Sequence, residues 1–457
     1  MTAHAIRGPF SATTLTGTLL RIRSAVRKLA VRKLPYKLAT FLVAATMALG
    51  VAQLTWAQDE NLLFNFYSAP AKDGEDPYLY GALIMDSEGN LYGAAEGGGK
   101  YSPNGVVFKL TPNPKGKDPW KITVLHSFKG YDSEKPSKSD GAFPYSAVIM
   151  DGSGNLYGVT FVGGTEDLGT VYKLTPTAKG AWKETILHNF TGGSDGVNPS
   201  QPLTLDADGN IYGTTGSGGN GEYCQGVGCG IVFELSPTKS GPWTETIIHA
   251  FQGSLNGMGC DGSGPTGQLY LNAQGNMYGA TYEGGCPDGG TVFELTSNGS
   301  GGWGYGQVFV LPSAGQAAAP LGGVIGDAEG NLYGLWGGGV YELQGSGSSF
   351  TYETLYFFSD IGGGPDGTQG GGLIFDTSGN LYATSYGGGN GYGTVFELSP
   401  AGGGTWNEET LWMFNHADGS NPVCSLLLDG KGNLYGSTPY GGGNSFNGGV
   451  IFQITPQ

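Results

Sequence analysis

Residues 151–158 read Asp-Gly-Ser-Gly-Asn-Leu-Tyr-Gly, and the stretches around them decide the fold. SAVIM (146–150) precedes this octet, NLYGVT (155–160) leaves it, GTVYKLT (169–175) follows a Gly-Gly loop, and WKETILHNF (182–190) follows a Pro-containing turn. Each of these short stretches is rich in β-branched and aromatic residues and bounded by turn residues, which predicts four strands in succession. Within the octet, Asp accepts backbone hydrogen bonds, Gly supplies a positive φ, and Asn tolerates the left-handed region.

The octet recurs at 86–93, 206–213, 272–279, 327–334, 376–383 and 429–436, beginning with Asp everywhere except at Asn272. A repeat of 49 to 66 residues with four short strands is the signature of a propeller blade. The predicted fold is therefore an all-β, seven-bladed β-propeller with four antiparallel strands per blade. The seventh copy ends after its third strand, GVIFQIT. Asn61–Phe66 (NLLFNF) matches ILHNF of the second copy, so the N-terminal strand is expected to close the last blade and remove an open sheet edge. The octet tyrosine recurs seven times, and five copies place Trp at the start of the fourth strand (Trp120, Trp182, Trp243, Trp303, Trp406). Both read as packing between neighbouring blades.

The first 57 residues are different in kind. They hold eight basic residues and no acid, then the apolar run Leu38–Ala52, with Thr55 and Ala57 small enough for a signal-peptidase site. Residues 1–57 are expected to be a signal peptide and 58–457 a single propeller, secreted or periplasmic, with no stable membrane insertion after cleavage. An uncleaved anchor is the rival, although the run is short for a span. The remaining chain keeps all 38 acids and only fourteen basic residues, every one a lysine. Without arginine it lacks the planar fork that grips phosphate, and its acidity repels polyanions, so nucleic acid is excluded as a partner. A monomer is expected.

Cys224 and Cys229 share one Gly-rich loop, and Cys260 and Cys286 lie in two loops of the same region, while Cys424 stands in an apolar run. Export permits disulfides, and Cys224–Cys229 with Cys260–Cys286 is the pairing suggested by position, metal binding being the alternative. The enlarged loops 216–230 and 252–265, which carry Cys224, Cys229 and Cys260, are the expected partner-specific surface.

These repeats resemble the GloVer (Gloeo/Verruco) tandem repeat family of exported bacterial proteins over about 60–457. The resemblance rests on the Gly-Asn-Leu-Tyr turns, the Gly-Gly pairs, the Gly290–Leu295 type of strand (GTVFEL) and the Leu-His-x-Phe strands. It implies a surface or secreted protein; nothing follows the last repeat, which points to soluble export rather than anchored display.

In a propeller, the loops leading into the first strand share one face with those joining the second and third strands. On that face Asp-Gly recurs ahead of Pro at Asp140, Asp195, Asp261 and Asp418, and more loosely at Asp73 and Asp366. A carboxylate ring there could bind a cation, a cationic ligand or a sugar, the alternative being plain turn chemistry. Asp206 and Asp208 mimic the start of a calcium loop but lack its later ligands, so no cofactor is expected and calcium is not favoured. His126, His188 and His249 occupy one position on the outer strands and read as semi-buried structural rings, with Ile186, His188 and Phe190 on one strand face. His416 is the histidine expected near the functional face. No nucleophile elbow, Cys-His pair, HExxH or phosphate loop is present. The expectation is an exported, non-catalytic binding or surface-interaction propeller for an unidentified polysaccharide or protein. A carbohydrate-active or lactonase-like enzyme with its site in the channel mouth is the alternative.

Overall fold

The computed structural model describes residues 59–456 apart from 67–72, 78–80, 117, 222, 223, 225, 240, 254–259, 287, 288, 300, 313–318, 347, 348, 359–369 and 444–446. The expected leader, 1–57, lies outside the described residues.

The octet folds as a closed turn. In the second repeat the Asp151 N–H donates to the Asn155 carbonyl (3.0 Å) and the Gly154 N–H to the Asp151 carbonyl (2.9 Å). Asp151 Oδ1 accepts the N–H groups of Ser153 and Asn155, while Oδ2 accepts Asn155 Nδ2 at 2.7 Å and the Tyr157 hydroxyl at 2.9 Å. Gly154 takes φ 78°, as expected. Asn155 is not left-handed; its role is to donate its amide to the aspartate. Where the octet begins with Asn272, the Tyr278 hydroxyl and the Asn276 amide turn to Glu294 instead. The carboxylate of the octet is thus spent on its own turn.

Two strands leave each turn. Leu156–Thr160 is buried along its whole length, and it pairs with Ile149–Met150 on one side and Thr170–Pro176 on the other. Trp182–Asn189 completes this sheet with alternating exposure. Every described repeat forms such an antiparallel four-strand meander. Among the described residues the pairings give five separate four-stranded sheets, a two-stranded ladder and one eight-stranded sheet, in which the fourth and fifth meanders are joined by a parallel pairing of Gln268 with Gly323. Seven separate sheets were expected. The merger has a steric cause: Gly267 and Gly323 carry no Cβ, and one added at Gly267 would stand 2.0 Å from the Gly323 nitrogen. The arrangement of sheets is propeller-like. Among the described residues no helix is long and apolar enough to cross a membrane.

Successive sheets pack through the repeat's own aromatics. Tyr92 meets Trp182, Tyr157 meets Trp243 and Tyr212 meets Trp303 edge-to-face at 6.4, 6.3 and 5.8 Å. The proline of each Asp-Gly-x-x-Pro loop presses on a glycine of the preceding repeat, as Pro144 does on Gly105, and Pro77 of the first repeat does the same on Gly449 of the last. The N-terminal strand Asp59–Asn65 pairs antiparallel with Val450–Thr455 at the outer edge of the last sheet.

Candidate functional site

The innermost strands of successive repeats converge on one cavity of about 550 Å³. Its wall is drawn from the lead-in segments Ser200 and Gln201, Gly264–Thr266, Leu321 and Gly322, Gly370 and Gly371, and Val423, so five repeats contribute to it. The inner strands are held together by side-chain amides and hydroxyls. The Gln201 Oε1 accepts the Gly267 N–H at 2.9 Å, Gln268 Nε2 donates to the Leu203 carbonyl at 2.8 Å, and the Thr384 hydroxyl donates to the Cys424 carbonyl at 2.9 Å. Tyr282 and Tyr386 bring aromatic rings to the rim, Tyr386 being 37% exposed. Among the described residues the lining holds no Asp, Glu, Lys, His or Cys.

The predicted loop face is real: the lead-in loops bridge to the loops after the second strands, as Glu75 to Gly97, Val197 to Ser217, Ser420 to Tyr440 and the short ladder Gly141–Ala142 with Val162–Gly163. The predicted carboxylates, however, do not line the cavity. They turn into the seams between repeats. Asp140 is 3% exposed; its Oδ1 accepts the N–H groups of Lys129 and Gly130, and its Oδ2 faces His126. Asp195 accepts from His188 at 2.9 Å and from the Thr191 N–H and hydroxyl. Asp261 accepts the Gln252 N–H and contacts His249 at 3.1 Å. Asp418 accepts the backbone and side-chain N–H groups of Asn415. Asp366 lies outside the described residues. His416, at φ 70°, stacks on Tyr392 with ring centres 5.5 Å apart and does not line the cavity.

The sequence pattern missed the third member of two of these seams. Glu184 and Glu245, on the outer strand of the following repeat, place Oε1 3.4 Å from His126 Nε2 and 3.5 Å from His188 Nε2 respectively. Their signal was present in register: each pairs with the leucine of its third strand, Leu174 or Leu235. Burial pushes the Glu184 carboxyl up to about 7, with Asp140 adding to the rise and His126 opposing it. Burial raises Glu245 to about 9, helped by a hydrogen bond to the Asp195 carboxyl and by its charge. Burial also works against ionisation of Asp195, but the bonds from His188 and Thr191 outweigh it and hold that carboxyl at about 2.

Cys224 is bonded to Cys229 and Cys260 to Cys286, each pair with Cα atoms 5.4 Å apart. Both bridges adjoin the cavity wall: Cys224 and Cys229 lie in the loop that begins at Gly216, and Cys260 precedes the wall segment Gly264–Thr266. The Gly264 N–H donates to the Cys229 carbonyl at 2.9 Å, tying the two loops together. Cys424 is buried and unbridged, its thiol pushed up to about 11 by burial.

With this geometry in view, the comparisons with known proteins are informative about family and fold. Residues 134–337 match the model of the Gloeobacter/Verrucomicrobia repeat. Over that stretch the chain carries this family's repeat. No curated protein matches it. Among solved structures it is similar to PorZ, a surface component of the type-IX secretion system of Porphyromonas gingivalis, at 13% identity and TM-score 0.50, covering 84% of this chain and 47% of PorZ. A fungal alcohol oxidase of the AA5 family, solved with copper, is similar at 14% identity and TM-score 0.51, covering 83% of this chain and 74% of the oxidase. The chain spans only 41% of an extracellular domain from B. thetaiotaomicron described as part of a hybrid two-component system, at 14% identity, 87% coverage of this chain and TM-score 0.49. At these identities the likeness concerns the fold alone.

Proposed function

We propose that this Gloeobacter/Verrucomicrobia repeat protein is an exported, non-catalytic binding propeller of seven blades that takes a neutral, hydroxyl-rich ligand, a polysaccharide segment, at the cavity mouth. The observation that carries the reading is the chemistry of the wall: amides, hydroxyls, backbone and the two tyrosines Tyr282 and Tyr386, with no ionisable acid, base or thiol nucleophile among the described lining residues. A sugar presents hydroxyls to amides and an apolar ring face to aromatic rings, which is what a pocket of this composition can satisfy. Glycoside hydrolysis by the usual route needs two carboxylates flanking the scissile bond, and the described wall offers none.

Seven blades are the count the repeats favour. The fourth and fifth meanders each keep four strands within the shared sheet, and the contact of Pro77 with Gly449 joins last repeat to first. Residues 1–57 serve in this reading as the export leader, and the bridged loops 216–230 and 252–265 stiffen one side of the mouth. Stiffening a binding loop beforehand lowers the entropy lost on recognition.

Retention of the protein on insoluble and soluble cell-wall and extracellular polysaccharides, with the supernatant assayed for released oligosaccharides, tests this. Retention without product, weakened at least tenfold by Tyr386→Ala or Tyr282→Ala, is expected. Release of cleaved product overturns the non-catalytic reading. Retention that neither substitution alters overturns the location.

A further inference from the structure

Two polar clusters lie in the seams between repeats, away from the cavity. At the first, His126 Nε2 stands 3.5 Å from Asp140 Oδ2 and 3.4 Å from Glu184 Oε1. At the second, His188 Nε2 stands 2.9 Å from Asp195 Oδ1 and 3.5 Å from Glu245 Oε1. Within each cluster the three atoms lie within 4.8 Å of one another. Three of the four separations exceed a normal N–H···O bond. They match instead the spacing of ligands around a shared ion: two donors each about 2.1 Å from a metal at a near-tetrahedral angle lie roughly 3.4 Å apart.

Satisfaction of these atoms gives an independent argument. His126 Nε2, Asp140 Oδ2 and Glu184 Oε1 are all buried and make no hydrogen bond, and in the second cluster no N–H or neutral hydroxyl is aimed at the buried Glu245 Oε1, which meets only the Asp195 carboxyl and His188. Buried polar atoms are rarely left so, and here they converge on common points. Asp140 is 3% exposed, and its other oxygen is fixed by the N–H groups of Lys129 and Gly130, which aims Oδ2 inward. The Thr191 N–H and hydroxyl fix Asp195 Oδ2 in the same way and leave Oδ1 to the cluster. Outer hydrogen bonds that orient ligating oxygens are the usual support of a metal site.

The geometry points to a divalent metal ion of the zinc class in each of these two seams, bound by His126, Asp140 and Glu184 and by His188, Asp195 and Glu245. An imidazole nitrogen among three ligands disfavours calcium and magnesium, which prefer oxygen throughout. Two carboxylates with a neutral imidazole would cancel the charge of the ion. The third seam supplies an internal control: His249 and Asp261 recur, but Tyr305 stands where the glutamate would be, and its ring stacks on His249 with centres 3.9 Å apart. No side-chain atom of those three residues is buried without a partner.

The test is zinc stoichiometry and thermal stability of the whole protein, stripped with chelator and then titrated with Zn²⁺. Two equivalents are expected in the unaltered chain, one in Glu184→Gln, none in Glu184→Gln/Glu245→Gln, and two in His249→Ala. Zinc should raise Tm by several degrees in the unaltered chain and leave the double variant unmoved, so a variant that fails to fold does not decide the matter. Absence of saturable uptake by the unaltered chain overturns the inference. So does uptake that the double variant retains, or uptake that His249→Ala loses as fully as Glu184→Gln does.

Discussion

The second and third seams are built on the same scaffold and differ by one partner. In both, a histidine on the outer strand reaches the aspartate of the following Asp-Gly-x-x-Pro loop, at 2.9 Å for His188 and Asp195 and 3.1 Å for His249 and Asp261. The third position is in identical register, Glu245 opposite Leu235 and Tyr305 opposite Leu295. With tyrosine, the ring covers the histidine and the hydroxyl donates to the Asp261 carbonyl at 2.5 Å. With glutamate, a buried oxygen meets only the Asp195 carboxyl and His188. The tyrosine seam also carries a covalent staple, because Cys260 adjoins Asp261 and is bonded to Cys286. The repeat therefore fixes a histidine–aspartate pair and leaves the means of closing each seam to the third residue: an aromatic lid and a disulfide in one case, a polar cluster in the other.

That difference predicts separate sensitivities. Replacing Cys260 and Cys286 together by Ser should cost up to about 3 kcal/mol, since the bridge closes a loop of 26 residues. The loss should appear in denaturant unfolding, while chelator adds nothing specific to this seam. Mass mapping of the unreduced protein should return Cys260 joined to Cys286; free thiols there would remove the covalent half of the comparison.

Tyr305→Glu converts the tyrosine seam to the glutamate kind. Loss of the stacked, largely buried ring should cost roughly 2–3 kcal/mol in chelator. In zinc the variant should take up a third equivalent and recover part of that loss. Stoichiometry that stays at two would mean that the third residue does not decide the chemistry of the seam.

The sixth seam offers a version without histidine. Trp412 occupies the histidine position, opposite Val395, and Glu60 the glutamate position, opposite Ile454. Burial, and then repulsion by Asp418, raises the Glu60 carboxyl to about 8. Between its ordinary value of 4.5 and 8 the folded chain holds a proton that the unfolded chain releases, so this group makes stability fall as pH rises through that window and level off above it. Glu60→Gln should remove the fall, leaving the unfolding free energy nearly unchanged at pH 4 and raising it above pH 8 by an amount on the order of 1–2 kcal/mol, discounted for partial exposure. A variant whose advantage does not grow with pH would show that Glu60 is ionised in the fold.

The turns, the strand order and the N-terminal strand at the last sheet were legible because each rests on local chemistry: a carboxylate, a positive-φ glycine and a tyrosine hydroxyl within one octet. The seams were not. Each fourth strand carries a bulge, between Ile186 and His188 in the second repeat, so simple alternation misplaces the ring that reaches Asp195. The aspartates were read at the channel mouth because their loops lie on that face. Their carboxylates turn inward because the loop is pinned by its proline, Pro144 against Gly105 and Pro199 against Gly169, contacts between repeats that no single repeat displays. The merging of the fourth and fifth sheets likewise depends on two glycines 56 residues apart, Gly267 and Gly323, meeting between neighbouring repeats, where Gln268 pairs with Gly323.

The smallest expected effect bears on the first seam. Lys129 Nζ lies 3.7 Å from Asp140 Oδ2, but its side chain is 55% exposed, whereas that of the aspartate is only 5% exposed. A solvated ammonium at that distance contributes less than about 0.5 kcal/mol, too little to compensate a carboxylate buried against Glu184. The second seam has the same combination of histidine, aspartate and glutamate, and among the described residues no lysine forms an ion pair with it. Lys129→Ala should therefore leave both Tm and zinc uptake of the first seam within error of the unaltered chain, in low salt and high. A loss above about 1 kcal/mol that salt abolishes would assign the charge balance of that seam to the lysine, and the likeness between the first and second seams would then be one of geometry without a shared chemistry.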